Sequence, residues 1–506
     1  MVNVGQNRIE DGSAARILLI LLLVVGWAIR ILSLTPQLLW GDEVYSAAVA
    51  NGGVIDVILA GLRYDIHPPL YYLQLHFWGL LGRSDEWLVG NSFLWGALTN
   101  ISIFVIVRRL TNSRRALLAA ALYAVLPIHI TFATFLRMYT LAALIGVWIF
   151  YYIEMISRST EQAGRNYIIV SLLFVLLGLV HGFGFFVGAF LLLYALVRLI
   201  QTGLVSRYRL LLILPVAGYL IGAAYALIIG SMRQTIGVET FDLNQIGIGL
   251  AITVFGFDMP YPALFGLLGL SLIILFAILN PEGRTILVIL FILPLAGMIA
   301  VTLFKPVFTY RTAALFAVFL PLGFVGTAIS SKPDGAGART VAYRWLMAVT
   351  LVVMTICSLH SFLVPELQDY RIFAERWDKE AAPSENLFIT GFNSDYMGFV
   401  RYLPNTPPQG AMDVQPPLGK QWEGIKRRLG EPLLRRLNMV GRPDHLTHSR
   451  GRHVYIWFDE AVAAAQPTYW LFGPDSDPGC GLPGFTPSVV LRDRHQALIR
   501  CHRTGA

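Results

Sequence analysis

Apolar runs close to the length of a membrane crossing recur along this chain, and they limit what it can fold into. A helical crossing takes roughly 20 predominantly apolar residues. About eleven runs meet that requirement, near 15–35, 87–107, 116–135, 138–157, 167–181, 183–200, 209–230, 262–280, 285–303, 313–330 and 345–363. The first run is too long for a signal-peptide core, lacks a small-residue cleavage site and carries Arg30 near its end, so it reads as a retained helix. Only 14% of the 506 residues are charged, against about 25% in soluble domains, so most of the chain is not solvated by water.

The net charge of +8 does not point to nucleic acid. Basic residues are dispersed among the turns between apolar runs and form no patch. With the N-terminus and its Arg8 and Arg16 inside, every inner turn is basic: Arg108, Arg109, Arg114 and Arg115 occupy one, Arg158 and Arg165 the next. The outer segments are longer and carry fewer positives, which is the positive-inside pattern. An odd number of spans then puts the tail after Val364 outside. Short inner turns and a compact outer tail fit the plasma (inner) membrane of a bacterium, with the tail periplasmic.

Two outer segments are long, 35–86 and 231–260. Within the first, Leu70 to Leu81 is too short and too aromatic to span and reads as a helix lying in the membrane interface. Ile246 to Phe257 reads the same way. Residues 1–364 form the expected membrane domain. The tail, 365–506, shifts in composition to short strand-like runs, helical pieces and Pro/Gly turns, and reads as a small α/β domain. The expected class is a polytopic α-helical membrane protein with an extracytoplasmic α/β domain. Of the three cysteines, Cys357 lies in an apolar run. Cys480 and Cys501 lie in the tail, where an oxidising compartment would let them pair; residue type alone leaves them free or bonded.

Chemistry-bearing residues gather on the outer side. Trp40-Gly41-Asp42-Glu43-Val44-Tyr45 follows the first span directly. A carboxylate there can take the proton from an attacking hydroxyl; alone, the pair reads equally as an acidic helix start. Arg63-Tyr64-Asp65-Ile66-His67-Pro68-Pro69 precedes the short aromatic helix, its prolines suited to a helix start. Leu136-Arg137-Met138-Tyr139 opens the fourth span, and Lys305-Pro306 with Tyr310-Arg311 joins the ninth and tenth. Cations at this depth are costly unless paired or lining a wet cavity, and arginine forks onto phosphate; snorkelling to headgroups is the plainer alternative. His181 falls at an outer helix end. Glu154, near an inner end, reads as water-exposed.

Taken in order, these motifs resemble the dolichyl-phosphate-mannose protein mannosyltransferase-like superfamily. These are polytopic GT-C glycosyltransferases and include the bacterial lipid A aminoarabinose transferases. The Asp-Glu and His-Pro-Pro pair carries most of the resemblance. It implies Asp42 as the base or acceptor-orienting group, with Glu43 in support. It also implies a donor-phosphate site of Lys305, Arg311, Tyr310, His67 and Arg137, with Tyr45, Tyr64, Tyr139 and His181 lining the pocket. Several members carry a second acid at the start of the fourth helix; this chain reads Leu136-Arg137-Met138-Tyr139-Thr140 there, without a carboxylate. No metal and no cofactor is therefore expected. The implied partners are a polyprenyl-phosphate-linked sugar, an envelope glycan, lipid or protein acceptor, and the surrounding membrane lipids. Alternatives in the same setting are a lipid-linked sugar transporter or flippase, and a glycan ligase or polymerase using a diphosphate-linked donor.

Overall fold

A computed structural model describes residues 6–34, 39, 41–63, 67–158, 163–204, 213–232, 243–256, 259–302, 309–326, 338–363, 369–383, 385–390, 393–404, 445–448, 452–455, 458, 460–474, 479–492 and 496–504. The chain divides into two compact units. The first comprises Met1–Pro36, Ile66–Tyr71 and Val89–Pro365; the second comprises Gln37–Asp65, Tyr72–Leu88 and Glu366–Ala506.

In chain order the helices begin with α1 (Gln6–Leu32), α2 (Gly41–Ala50), α3 (Val54–Arg63), α4 (Leu70–Gly79) and α5 (Asp85–Leu110). They continue with α6 (Ser113–Ala124), α7 (Pro127–Ala133), α8 (Tyr139–Arg158), α9 (Ala163–Val180), α10 (Gly184–Gln201), α11 (Ile213–Met232), α12 (Leu243–Phe255) and α13 (Pro262–Leu279). Then come α14 (Pro281–Leu287) and α15 (Leu293–Thr302), joined by a π-helical turn, followed by α16 (Tyr310–Ala317), α17 (Leu320–Val325) and α18 (Ala338–Leu363). Among the described residues, six helical stretches are long and apolar enough to cross a membrane: α5, α8, α10, α13, the α14–α15 stretch and α18. The pair α6 and α7, bent by 66°, is a seventh candidate. The other expected spans also carry helix in their described parts, in α1, α9, α11 and the α16–α17 pair.

Local chemistry explains several helix limits in the first unit. The Asn112 side chain caps α6 by accepting from the Arg115 amide at 3.0 Å. The break after α6 falls at Pro127, whose ring cannot supply an amide hydrogen to a continuing helix. The carbonyls freed there are met by Arg30 of α1, which is fully buried. Its Nη2 donates to the Tyr123 carbonyl at 2.9 Å and its Nη1 to those of Ala124 and Gly26. Such breaks survive at membrane depth when neighbouring groups satisfy the backbone. α9 and α11 meet backbone to backbone: a Cβ on Gly178 would lie 2.3 Å from the Gly222 backbone. Small residues of this kind are what close helix packing in lipid requires.

Two expectations for this unit are corrected. Residues 246–257 were expected at the interface, yet α12 is buried from Gly249 to Gly256 and packs on α7, α13, α16 and α18. Its Gly247 and Gly266 of α13 allow a contact that leaves no room for a side chain. Glu154 was expected in water, yet its side chain is fully buried. It accepts from Arg158 at 2.7 and 3.0 Å, from Arg198 at 2.7 and 3.3 Å, and from the Tyr194 hydroxyl at 2.7 Å. This network ties α8 to α10.

The second unit combines α2, α3 and most of α4 with α19 (Tyr370–Glu380), α20 (Asn393–Tyr402), the short α21 (Glu460–Ala464) and six strands. These are β1 (Leu387–Ile389), β2 (His445–Thr447), β3 (His453–Tyr455), β4 (Thr468–Pro474), β5 (Phe485–Arg492) and β6 (Gln496–Arg503), in the sheet order β2-β3-β1-β4-β6-β5. β1 lies parallel between β3 and β4; the outer pairings are antiparallel. Side chains alternate along the central strands. Leu387, Ile389, Trp470 and Phe472 pack with Phe373, Trp377 and Phe399 of the helices, while Phe388, Tyr455, Tyr469 and Ile499 form a second cluster on the other face. Edge strand β5 carries Pro487 and a bulge near Val489, both features that blunt an edge against further pairing. Cys480 and Cys501 are joined by a disulfide, with Cα atoms 5.8 Å apart.

Candidate active site

In the first unit, segments far apart in sequence bring their helix ends together. The His67 ring lies 4.8 Å from that of His181, and His181 lies 5.2 Å from Tyr139 at the start of α8. Tyr139 packs on Phe132 of α7 at 4.2 Å, and Phe132 stacks near Tyr310 at 6.3 Å. Arg311 closes the run: its guanidinium sits 5.6 Å from the Tyr310 ring and its Nε donates to the Tyr310 hydroxyl at 3.2 Å. α16 can begin here because Thr309 and Thr312 form a reciprocal capping box. The first amides of a helix lack intrahelical acceptors. In the turn just before α10, Gly182 N–H donates to His67 Nδ1 at 3.3 Å, and Phe183 N–H to His181 Nδ1 at 2.9 Å, while the Gly184 amide at the helix start donates to the His181 carbonyl at 2.8 Å. Arg137, buried in the turn before α8, has its carbonyl held by Ser92 Oγ at 3.3 Å.

In the second unit, Asp42 and Glu43 occupy the first turn of α2, where negative charge suits the helix dipole. Gly41 before them has φ +40°, a left-handed conformation that glycine adopts without strain. Glu43 is buried and Asp42 half-buried. Ser46 Oγ donates to the Asp42 carbonyl at 3.0 Å, and Tyr45 meets Tyr72 edge-on at 6.1 Å. α20 packs against α2. Leu39 N–H donates to the Tyr402 hydroxyl at 2.8 Å, and that hydroxyl and Arg401 both donate to Asp85. Burial, then the Asp85 charge and the hydrogen bond to it, push the Tyr402 phenol well above its usual range. Burial and Asp395 act in the same way on Tyr370.

The sequence-expected residues thus fall in two sets. His67, Arg137, Tyr139, His181, Tyr310 and Arg311 belong to the first unit, and Asp42, Glu43 and Tyr45 to the second. Lys305 and Tyr64 lie outside the described residues. Phe132, which bridges Tyr139 and Tyr310, escaped the sequence reading; within an apolar run nothing distinguishes it from core. Asp85 and Tyr402 escaped it too, because 317 residues separate them. Among the described residues, no three or more His, Cys, Asp or Glu side chains gather as a metal site would require.

Residues 66–233, which contain His67, Arg137, Tyr139 and His181, match the profile of the dolichyl-phosphate-mannose-protein mannosyltransferase family. The matched stretch spans about a third of the 506-residue chain. Solved structures similar to this chain include the Archaeoglobus fulgidus oligosaccharyltransferase in complex with Zn and sulfate. It is 16% identical, with 77% of this chain and 61% of that chain covered and a TM-score of 0.46. ArnT from Cupriavidus metallidurans in the apo state is 14% identical over 96% of this chain and 98% of that one, with a TM-score of 0.49. The mycobacterial arabinofuranosyltransferase AftD is 14% identical over 97% of this chain and 40% of that one, with a TM-score of 0.46. No curated protein matches the chain significantly.

Proposed function

We propose that the protein transfers a sugar from a polyprenyl-phosphate-linked donor to an acceptor on the outer face of the cytoplasmic membrane. The observation that carries this reading is the run from Arg311 through Tyr310, Phe132, Tyr139 and His181 to His67, drawn from four separate parts of the chain. A cation backed by aromatic rings and helix amides is the equipment for holding a lipid phosphate beside a sugar. The match to a mannosyltransferase family over residues 66–233, which hold His67, Phe132, Tyr139 and His181 but not Tyr310 or Arg311, supports it.

The acceptor oxygen attacks the anomeric carbon and gives its proton to Asp42, which Glu43 supports. The bond from that carbon to the phosphate oxygen breaks, and its electron pair leaves with the lipid phosphate. Arg311, with Lys305, Tyr310, Arg137 and His67, stabilises the charge that develops there. Attack opposite the leaving group inverts the anomeric configuration. Tyr45, Tyr64, Tyr139 and His181 complete the pocket. The disulfide of the second unit supports a tail in an oxidising, extracytoplasmic compartment, and hence a cytoplasmic N-terminus. Residues 365–506 would then form the periplasmic part, placed to select the acceptor, which is an envelope glycan, lipid or protein.

The test is sugar transfer in proteoliposomes supplied with polyprenyl-phosphate sugars from a membrane extract. Asp42→Asn should abolish product while leaving donor binding intact, and Arg311→Met should weaken donor binding. Unchanged turnover in Asp42→Asn removes the base assignment. Appearance of donor lipid on the opposite leaflet without any sugar transfer would make the protein a flippase instead.

A further inference from the structure

The start of α2 is capped from far along the chain. The first amides of a helix have no acceptor within it. Trp40, the residue before α2, carries an indole, which can only donate. Two tyrosines of the tail supply acceptors instead. Leu39 N–H donates to the Tyr402 hydroxyl at 2.8 Å, and Gly41 N–H donates to the Tyr370 hydroxyl. Each hydroxyl directs its own hydrogen at a carboxylate: Tyr402 at Asp85, and Tyr370 at Asp395 at 2.9 Å. A phenol has one hydrogen to give, so giving it to a carboxylate turns a lone pair toward the amide. The carboxylates are held in turn, Asp85 by Arg401 at 3.1 Å and Asp395 by Gln496 at 2.7 Å. Leu39, Tyr370, Asp85, Asp395 and Gln496 are all buried. The Tyr370 ring lies flush against Gly398 of α20, where a Cβ would meet it at 2.5 Å. Burial, then the charge of the adjacent carboxylate, raises both phenols above their usual range, so each keeps the hydrogen it donates. Every one of these residues belongs to the second unit.

We propose that Tyr370 and Tyr402 are positioning residues for sugar transfer: by fixing the amides of Leu39 and Gly41 they hold Asp42, in the first turn of α2, where it takes the acceptor's proton. The proposal rests on the function proposed above and deepens it. Each tyrosine acts through Asp42 and not by contact with substrate. The two anchors flank Trp40 and stand immediately before the acids, so together they fix both the place and the direction of the helix start. Hydrogen bonds to ionised carboxylates are stronger than neutral ones, and they polarise the hydroxyls that receive the amides. Such stiffness matters at a base, because a misplacement of about 1 Å in a reacting group can cost about a hundredfold in rate. The tail thereby gains a part in the chemistry as well as in choosing the acceptor.

The experiment uses the full-length protein in proteoliposomes supplied with polyprenyl-phosphate sugars from a membrane extract. Tyr370→Phe, Tyr402→Phe and the double variant delete the hydroxyls and keep the rings. Tyr469→Phe is the matched control. Its hydroxyl donates to the Cys480 carbonyl at 2.6 Å, in the same unit but in the cluster on the other face of the sheet. Expected in the double variant is a fall of about tenfold or more in maximal rate, with the apparent KM for donor lipid within about twofold of wild type. Tyr469→Phe should transfer at the wild-type rate. Hydrogen exchange read by fragmentation mass spectrometry should find the Leu39 and Gly41 amides protected in wild type and released in the double variant. The wild-type reading needs neither activity nor a stable variant. Rapid exchange of both amides in wild-type protein overturns the clamp itself. A double variant that transfers as wild type does overturns the positioning role and leaves the proposed function standing. So does a Tyr469→Phe protein that loses as much activity as the double variant, since the hydroxyls would then serve stability alone. Wild-type protein that transfers no sugar overturns the proposed function and the positioning role with it.

Discussion

Replacing Glu154 by glutamine should be among the most damaging single changes in the membrane unit, although it is no part of the candidate site. The carboxylate is fully buried and accepts five hydrogen bonds from three side chains. Glutamine keeps the shape but removes the charge that balances two guanidinium groups. Breaking a buried pair by neutralising one partner costs about 3–5 kcal/mol. The arginines retain side-chain exposures of 28% and 21%, so water relieves part of the loss. The low end, about 3 kcal/mol, is the better estimate. For a chain of this size that corresponds to a fall of about 3 °C in Tm. Tyr194→Phe removes one neutral donor and should cost only about 1 kcal/mol. The assay is thermal unfolding in nanodiscs, followed by tryptophan fluorescence. A double-mutant cycle of Glu154→Gln with Arg198→Gln should give a coupling above about 1 kcal/mol. A Glu154→Gln protein melting within a degree of wild type, or single effects that simply add, would refute the argument that this network holds α8 to α10.

Three further outcomes follow from other parts of the fold. The Cys480–Cys501 disulfide closes a loop across a separation of 21 residues, which in the chain-entropy account is worth about 3 kcal/mol to the second unit; thiol titration of the denatured, unreduced protein should find one reactive cysteine, and three would contradict the assignment. Burial raises the Asp378 carboxyl, but hydrogen bonds from His448 and Arg452 and their charges outweigh it and hold it below the usual carboxylate range. The unfolded chain then takes up this proton first, so the contribution is complete above about pH 4 and lost as pH falls through the depressed value. Asp378→Asn should therefore flatten the acid limb of the second unit's stability, measured by limited proteolysis, and an unchanged limb would contradict it. Gly178→Val places carbon against the Gly222 backbone and should prevent α9 and α11 from closing, read as loss of the monodisperse species on gel filtration; an intact peak would show that the helices can separate at little cost.

What the sequence could disclose was governed by range. Apolar length is a local property, so the runs that became α5, α8, α10 and α13 stood out at once. The α6–α7 break was also written locally, in Leu126-Pro127, although a 20-residue window smooths over it. Glu154 was misread because its position near an inner helix end suggested water, whereas its partners Tyr194 and Arg198 lie on another helix. The candidate site shows the same division. Asp42, His67, Arg137, Tyr139, His181 and Arg311 were visible as polar residues beside apolar runs. That His67 would meet the 181–183 turn was not visible, since the contact joins residues 115 apart. The Asp85–Tyr402 hydrogen bond is longer in range still and had no sequence signature.

The charges buried in the membrane unit sort themselves by what they touch, and this bears on which are available for chemistry. Arg30 spends both terminal nitrogens on backbone carbonyls, those of Tyr123 and Ala124 at a helix break and that of Gly26 one turn back on its own helix. Glu154 spends its two oxygens on Arg158, Arg198 and Tyr194. Each is satisfied by groups that belong to the fold, so each explains its own presence at a depth where charge is expensive. Arg311 is half-buried and lies in the first turn of α16. Its neighbour on the aromatic run is a phenol that is itself part of a string of rings, and that string ends on two histidines whose Nδ1 atoms are committed to a helix start. Nothing about holding α16 in place calls for such a sequence of groups, because Thr309 and Thr312 already cap that helix. This run of a cation, a phenol and imidazoles is the observation on which the proposed donor-phosphate site rests, and loss of donor binding in Arg311→Met is its test.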